Sequence, residues 1–139
     1  MGQPLLDTSV FSTYIKQIDA NVDSYYFSSV VFYELIASLI DESKMLKYAS
    51  WEAYCAKTKK LITPTRTDWI ITAKAIRRLR HLKLIDKNLS ATSLQNDALI
   101  ARCASMHNCY VVTDNIRDFT LLQKVMPKLD VIPANEYFG

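Results

Sequence analysis

Short β-prone runs alternate along this chain with longer stretches that read as helices. Leu5-Leu6 opens the series, Tyr25-Tyr26-Phe27-Ser28 follows, and Tyr110-Val111-Val112-Thr113 is the clearest strand. Leu129-Asp130-Val131-Ile132-Pro133 reads as the last strand. Between them lie amphipathic segments long enough for helices. Such alternation predicts an α/β fold with a central, mostly parallel sheet and helices on both faces. In an open parallel sheet, ligands bind just beyond the carboxyl ends of the strands. The residues that leave each strand therefore carry most of the functional information.

Those residues are acids and hydroxyls. Asp7-Thr8-Ser9 leaves the first strand, with Thr8 or Ser9 able to cap a helix over Val10 to Gln17. Ser28 or Ser29 caps a helix from Val30 to Ile40, and Glu34 lies in its early turns among Val30, Val31, Phe32, Leu35 and Ile36. A lone acid in so apolar a helix is costly to bury unless a cation or a hydrogen bond meets it. Ser93 or Asn96 opens a helix through Met106, with Asp97 in or near its first turn, and Asn108 ends it. Thr113 empties into Asp114-Asn115-Ile116-Arg117-Asp118.

The middle of the chain is helical and basic. Ser43 to Lys60 reads as one helix. Leu61-Ile62-Thr63-Pro64 reads as a turn, because Pro64 disfavours a helical Thr63. Thr67 or Asp68 caps a second helix reaching His81, on which Ile71, Ala75, Ile76, Leu79 and Leu82 share an arc opposite Lys74, Arg77, Arg78 and Arg80. Lys57 to Lys87 holds ten of the 17 Lys and Arg residues, against the acids Asp68 and Asp86. Such a strip can neutralise phosphates along a nucleic-acid backbone, although a solvated helix face reads the same way.

The 139 residues fit one domain with a single core, and the net charge of +3 by itself does not argue for nucleic acid. Three cysteines without CxxC spacing read as reduced thiols of a cytoplasmic protein. No signal peptide or membrane span is expected. GxGxxG, P-loop and GxSxG patterns are missing. A phosphatase or small-molecule hydrolase therefore lacks its phosphate-cradling glycine loop. Cys103 and His107 lie four residues apart on one helix face, but Cys103 points toward the expected core.

Asp7, Glu34, Asp97 and Asp114 all fall on one rim of such a fold. Gathered carboxylates repel, and a hard divalent cation relieves the repulsion. Oxygen-only ligation without paired His or Cys favours Mg²⁺ or Mn²⁺ over Zn²⁺.

Four pieces of sequence, in order, resemble the PIN-domain nucleases, and among them the small VapC-type toxins of toxin–antitoxin systems. They are Leu5 to Ser9, Ser28 to Leu35, Asn96 to Ala101 and Val111 to Phe119. The resemblance implies a three-layer α/β/α PIN-like fold, one domain over residues 1–139 with a helical arm at about 43–83. It implies a Mg²⁺- or Mn²⁺-dependent endoribonuclease that leaves 5′-phosphate and 3′-hydroxyl ends. Asp7, Glu34 and Asp97 carry over as site residues, with Ser9 as the hydroxyl beside the metal. Many relatives place the fourth acid where this chain has Asn115, so Asp114 stands first and Asp118 second for that role. Asn115 itself is a neutral ligand or hydrogen-bond donor. The helical arm has two possible jobs: its basic arc, Lys74, Arg77, Arg78 and Arg80, could guide RNA to the acids, or its aromatic and apolar positions could instead grip an antitoxin. A homodimer and an antitoxin partner are also implied. A non-catalytic PIN-like nucleic-acid-binding module is the competing expectation.

Overall fold

The computed structural model describes residues 2–86, 88 and 94–139. Its strands are β1 (Gln3–Leu6), β2 (Phe27–Ser28), β3 (Leu61–Ile62), β4 (Cys109–Thr113) and β5 (Asp130–Pro133). β1 pairs in parallel with β4, and β4 with β5. β2 pairs in parallel with β3. A parallel bridge between Leu5 and Tyr26, with Tyr26 N–H on the Pro4 carbonyl at 2.8 Å, joins the two groups. The spatial order is thus β3-β2-β1-β4-β5, all parallel. The chain winds outward from β1 on one side and then returns to build β4 and β5 on the other. The switch in direction falls between β1 and β4, where a crevice opens at the carboxyl ends of the strands.

The helices are α1 (Phe11–Ala20), α2 (Ser29–Ala37), α3 (Glu42–Lys57), α4 (Arg66–His81), α5 (Gln95–Met106), α6 (Ile116–Gln123) and α7 (Ala134–Phe138). A 3₁₀ turn over Thr8–Val10 leads from β1 into α1. Ser28 caps α2 by accepting the Val30 N–H at 3.2 Å. α5 closes before Asn108, whose φ of 54° turns the chain into β4. Asn tolerates that left-handed conformation better than most side chains.

The core lies along β1 and β4 and the helices on them. Leu5, Leu6, Phe27, Val31, Leu99, Ile100, Val111, Val112 and Phe119 are all essentially inaccessible. The Phe27 and Phe32 rings meet at 5.4 Å between centroids and fix α2 over β2. Each such side chain contributes about 1.5–3 kcal/mol by leaving water. All three cysteines are free and buried.

Several local expectations change. Leu61-Ile62 is a strand rather than a turn, because β2 supplies backbone partners that two residues cannot advertise in sequence. The helical stretch expected at 43–83 is present as α3 and α4, with β3 between them on the sheet edge. The cap of α4 is Thr65, in a reciprocal capping box with Asp68. α4 buries Asp68, Thr72, Ala75, Ile76 and Leu79, whereas Ile71 and Leu82 are exposed. The C-terminal residues 134–138 form a helix instead of a tail, held by aromatic packing. Phe138 stacks on Tyr14 at 4.4 Å, and Tyr137 meets Tyr25 and Tyr110. Lys87 of the basic stretch and Ser93, one candidate cap, lie outside the described residues.

Candidate active site

Asp7 stands at the end of β1, 2% exposed. Its Oδ2 accepts the hydroxyls of Ser9 and Thr113, each at 2.7 Å. Those hydroxyls in turn accept backbone N–H groups, Asp114 on Ser9 at 3.0 Å and Asn115 on Thr113 at 2.8 Å. A hydroxyl has one proton to give. With both protons on Asp7, the 3.2 Å approach of Ser9 Oγ to Thr113 Oγ1 is a packing contact. The loop after β4 is thereby tied to the loop after β1 through a single carboxylate oxygen.

Glu34, on the second turn of α2, accepts the Thr8 hydroxyl at 2.6 Å. That bond answers the cost of an acid among apolar neighbours. It also uses Thr8 for orientation rather than for capping. Asp97 lies in the first turn of α5. Its Oδ2 accepts the Asn115 side-chain amide at 2.9 Å, and the same nitrogen donates to Asp118 Oδ2 at 3.0 Å.

Burial pushes the Asp97 carboxyl up to about 7, and the charges of Asp7, Glu34 and Asp118 add to the rise. The Asn115 amide pulls the other way. The acids that crowd Asp97 are therefore drawn from β1, α2 and α6.

Of the two candidates for the fourth acid, the structure sets Asp118 in the cluster and leaves Asp114 outside it. Asp118 is half-buried in the cluster, while the exposed Asp114 engages Ser9 through its backbone. Strand alternation gives the reason. Thr113 faces Asp7, so the next residue points to the other side. The first turn of α6 then brings residue 118 back over Asn115.

Among the described residues, no group of three or more His, Cys, Asp or Glu is set to hold a metal ion as it stands. The donor chemistry nevertheless fits a hard cation. The set is oxygen-only, and the crowding at Asp97 is the repulsion a divalent ion removes.

The basic residues separate. Lys74 and Arg78 line a cleft of about 430 Å³ with Arg102 and Lys128, toward the C-terminal half of α5. Arg77 is exposed and Arg80 is half-buried. Cys103 and His107 do not form a nucleophile and base. The Cys103 thiol is fully buried against Ser28, burial raises it to about 11, and His107 Nδ1 meets the Cys103 carbonyl at 2.9 Å.

Sequence reading passed over Thr113, whose signal is a polar residue closing an apolar strand. Tyr33 on α2 and Trp69 on α4 stand as exposed aromatics.

A folded-state value of about 7 against an ordinary 3.8 fixes the sign of one pH effect. Between those limits the folded protein holds a proton that the unfolded chain releases. Asp97 therefore costs the metal-free protein stability as pH rises from about 4 to about 7, by about 1–2 kcal/mol after solvent screening. The variant Asp97→Asn should unfold at a higher temperature than wild type at pH 8 and match it at pH 4. Equal differences at both pH values would refute this. Chelator-treated protein followed by circular dichroism gives the measurement.

No protein-family model and no curated protein matches the chain. Solved structures do. The DNA-bound VapBC complex of Salmonella typhimurium contains a chain that aligns with TM-score 0.65 and 20% identity, covering 96% of this chain and 99% of that one. VapBC-1 of nontypeable Haemophilus influenzae gives 0.61 and 17%, covering 95% and 98%. FitAcB of Neisseria gonorrhoeae gives 0.63 and 20%, covering 94% and 96%. At that identity the likeness is one of fold.

Proposed function

Because this chain has the PIN-like fold, we propose that it is a metal-dependent endoribonuclease and the toxin half of a toxin–antitoxin pair. The observation that carries this reading is the convergence of Asp7, Glu34 and Asp118 on Asp97 at the switch point of the sheet. Acids at that density are a poor choice for stability and a good one for binding a cation and a phosphate together.

Asp7, Asp97 and Asp118 would hold Mg²⁺ or Mn²⁺, with Glu34 beside them. The ion, when bound, supplies charge neutralisation at the phosphate and a more acidic water. The chain's own contribution is placement. Ser9 and Thr113 fix the Asp7 carboxylate, and both are anchored by backbone N–H groups. Thr8 aims Glu34, which can orient a water or take its proton. Asn115 spans Asp97 and Asp118 and keeps two like charges at a fixed spacing. Hydrolysis would leave 5′-phosphate and 3′-hydroxyl ends.

An antitoxin partner is supported by the VapBC complexes, whose fold this chain shares. A homodimer belongs to the same reading. Among the described residues no helix is long and apolar enough to cross a membrane.

The Asn115 bridge favours a second reading, a non-catalytic nucleic-acid-binding module. There the amide would substitute for an ion as the link between Asp97 and Asp118. Mn²⁺ titration of the chelated protein separates the two. Under the nuclease reading, saturating Mn²⁺ raises Tm by several degrees, because an ion that binds only the folded state stabilises it by mass action. Labelled single-stranded RNA is then cut in the presence of Mn²⁺ and spared with EDTA. No shift and no cleavage would remove the nuclease reading.

A further inference from the structure

Beside the acid cluster lies a groove of about 390 Å³ lined by Ser29, Tyr33, Thr63, Trp69, Gln95 and Asn96. Pro64 and the buried Val30 and Leu99 complete its apolar part. Two large aromatic side chains stand open on it, Tyr33 at 66% and Trp69 at 48% exposure. Among the described residues that line it, none is charged.

The groove is tied to the acids by the helices themselves. Tyr33 directly precedes Glu34 on α2, and Asn96 directly precedes Asp97 on α5. Successive helical residues are turned by about 100°. α2 and α5 therefore each send an acid to the cluster and the residue before it into the groove. Trp69, from the first turn of α4, lines it as well.

An uncharged recess gives a phosphate no counter-charge. It does suit a flat ring with a polar edge. Tyr33 and Trp69 provide stacking faces, and the Gln95 and Asn96 amides each carry both a donor and an acceptor. The lining interrupts its aromatic surface with hydroxyls and amides, which fits a ring better than the continuous apolar face of a second copy.

We propose that this groove binds an unpaired nucleobase of single-stranded RNA, stacked on Tyr33 and Trp69 next to the phosphate held at the acids. The proposal rests on the ribonuclease reading and adds to it a base subsite, with Tyr33 and Trp69 as the residues that hold the base.

Steady-state cleavage of one short RNA, single-stranded or annealed to its complement, tests this in the Mn²⁺-loaded protein. Tyr33→Ala and Trp69→Ala should each raise KM about tenfold, more than they lower kcat. Trp69→Phe should restore most of the loss, and the annealed duplex should be cut at least about tenfold more slowly. Wild-type KM in both alanine variants, or equal cutting of duplex and single strand, would overturn the proposal. Size-exclusion chromatography runs alongside. If Trp69→Ala turns a dimer into a monomer and cleavage falls only in step with that change, the face is a contact between copies and the proposal fails. If the wild-type protein cuts neither RNA, the ribonuclease reading itself has failed and this inference falls with it.

Discussion

Asp7→Asn should yield a folded protein that cleaves RNA on the order of a thousandfold more slowly than wild type. Asparagine has the same shape, and its amide oxygen can still accept the Ser9 and Thr113 hydroxyls that Asp7 Oδ2 accepts now. What it lacks is the charge. Under the nuclease reading, a neutral residue there would weaken cation binding at the cluster and leave the phosphate without its counter-charge. Stability should change little, because the variant keeps the hydroxyl bonds and relieves part of the repulsion on Asp97. The measurement is a rate on labelled RNA with Mn²⁺, paired with a thermal melt. Wild-type cleavage by the purified variant would end the assignment of Asp7.

Asp68→Ala should have the largest effect on stability, a loss of about 3–5 kcal/mol. Asp68 is 6% exposed and uses both carboxylate oxygens. Oδ1 accepts the Arg102 Nε–H at 2.8 Å, which pins α4 to α5. Oδ2 accepts the Thr65 N–H at 2.9 Å and closes the capping box. Truncation strands a largely buried guanidinium and opens the first turn of α4. Small domains have about 5–15 kcal/mol in total, so such a variant sits near the edge of folding. Urea denaturation reads the loss directly. The pair Asp68→Leu with Arg102→Met should recover most of it, since matched apolar side chains remove the stranded charge. Recovery no better than the single variant would show that the cap, not the ion pair, carries the effect.

Asp68 and Asp97 respond to pH in opposite directions. Burial pushes Asp68 up, but the Thr65 N–H, the Arg102 guanidinium and the Thr65 hydroxyl outweigh it and hold the carboxyl below its ordinary value. Its contribution is present at neutral pH and is lost as pH falls through that lowered range. Asp97, raised by burial and neighbouring acids, costs stability at neutral pH and stops doing so in acid. One carboxylate is built into the scaffold and the other is held against the scaffold's interest, as functional groups commonly are.

The sequence by itself determined the α/β class, the strand-end positions of Asp7 and Thr113, and the helix-start position of Asp97. Each is a local property: a β-prone run, a hydroxyl or acid at its end, a helical period after it. The apolar helix around Glu34 was enough to mark that acid as costly. Tertiary structure alone decided the rest, because the deciding partners are distant in sequence. β3 exists only because β2 pairs with it. Thr8 orients Glu34 across 26 positions, and Thr113 fixes Asp7 across 106. Asp118 lies in the cluster and Asp114 outside it because of strand alternation followed by one helical turn, a choice that three neighbouring polar residues leave open in sequence. The groove beside Tyr33 and Trp69 required α2, α4 and α5 to come together, and no single segment records that meeting.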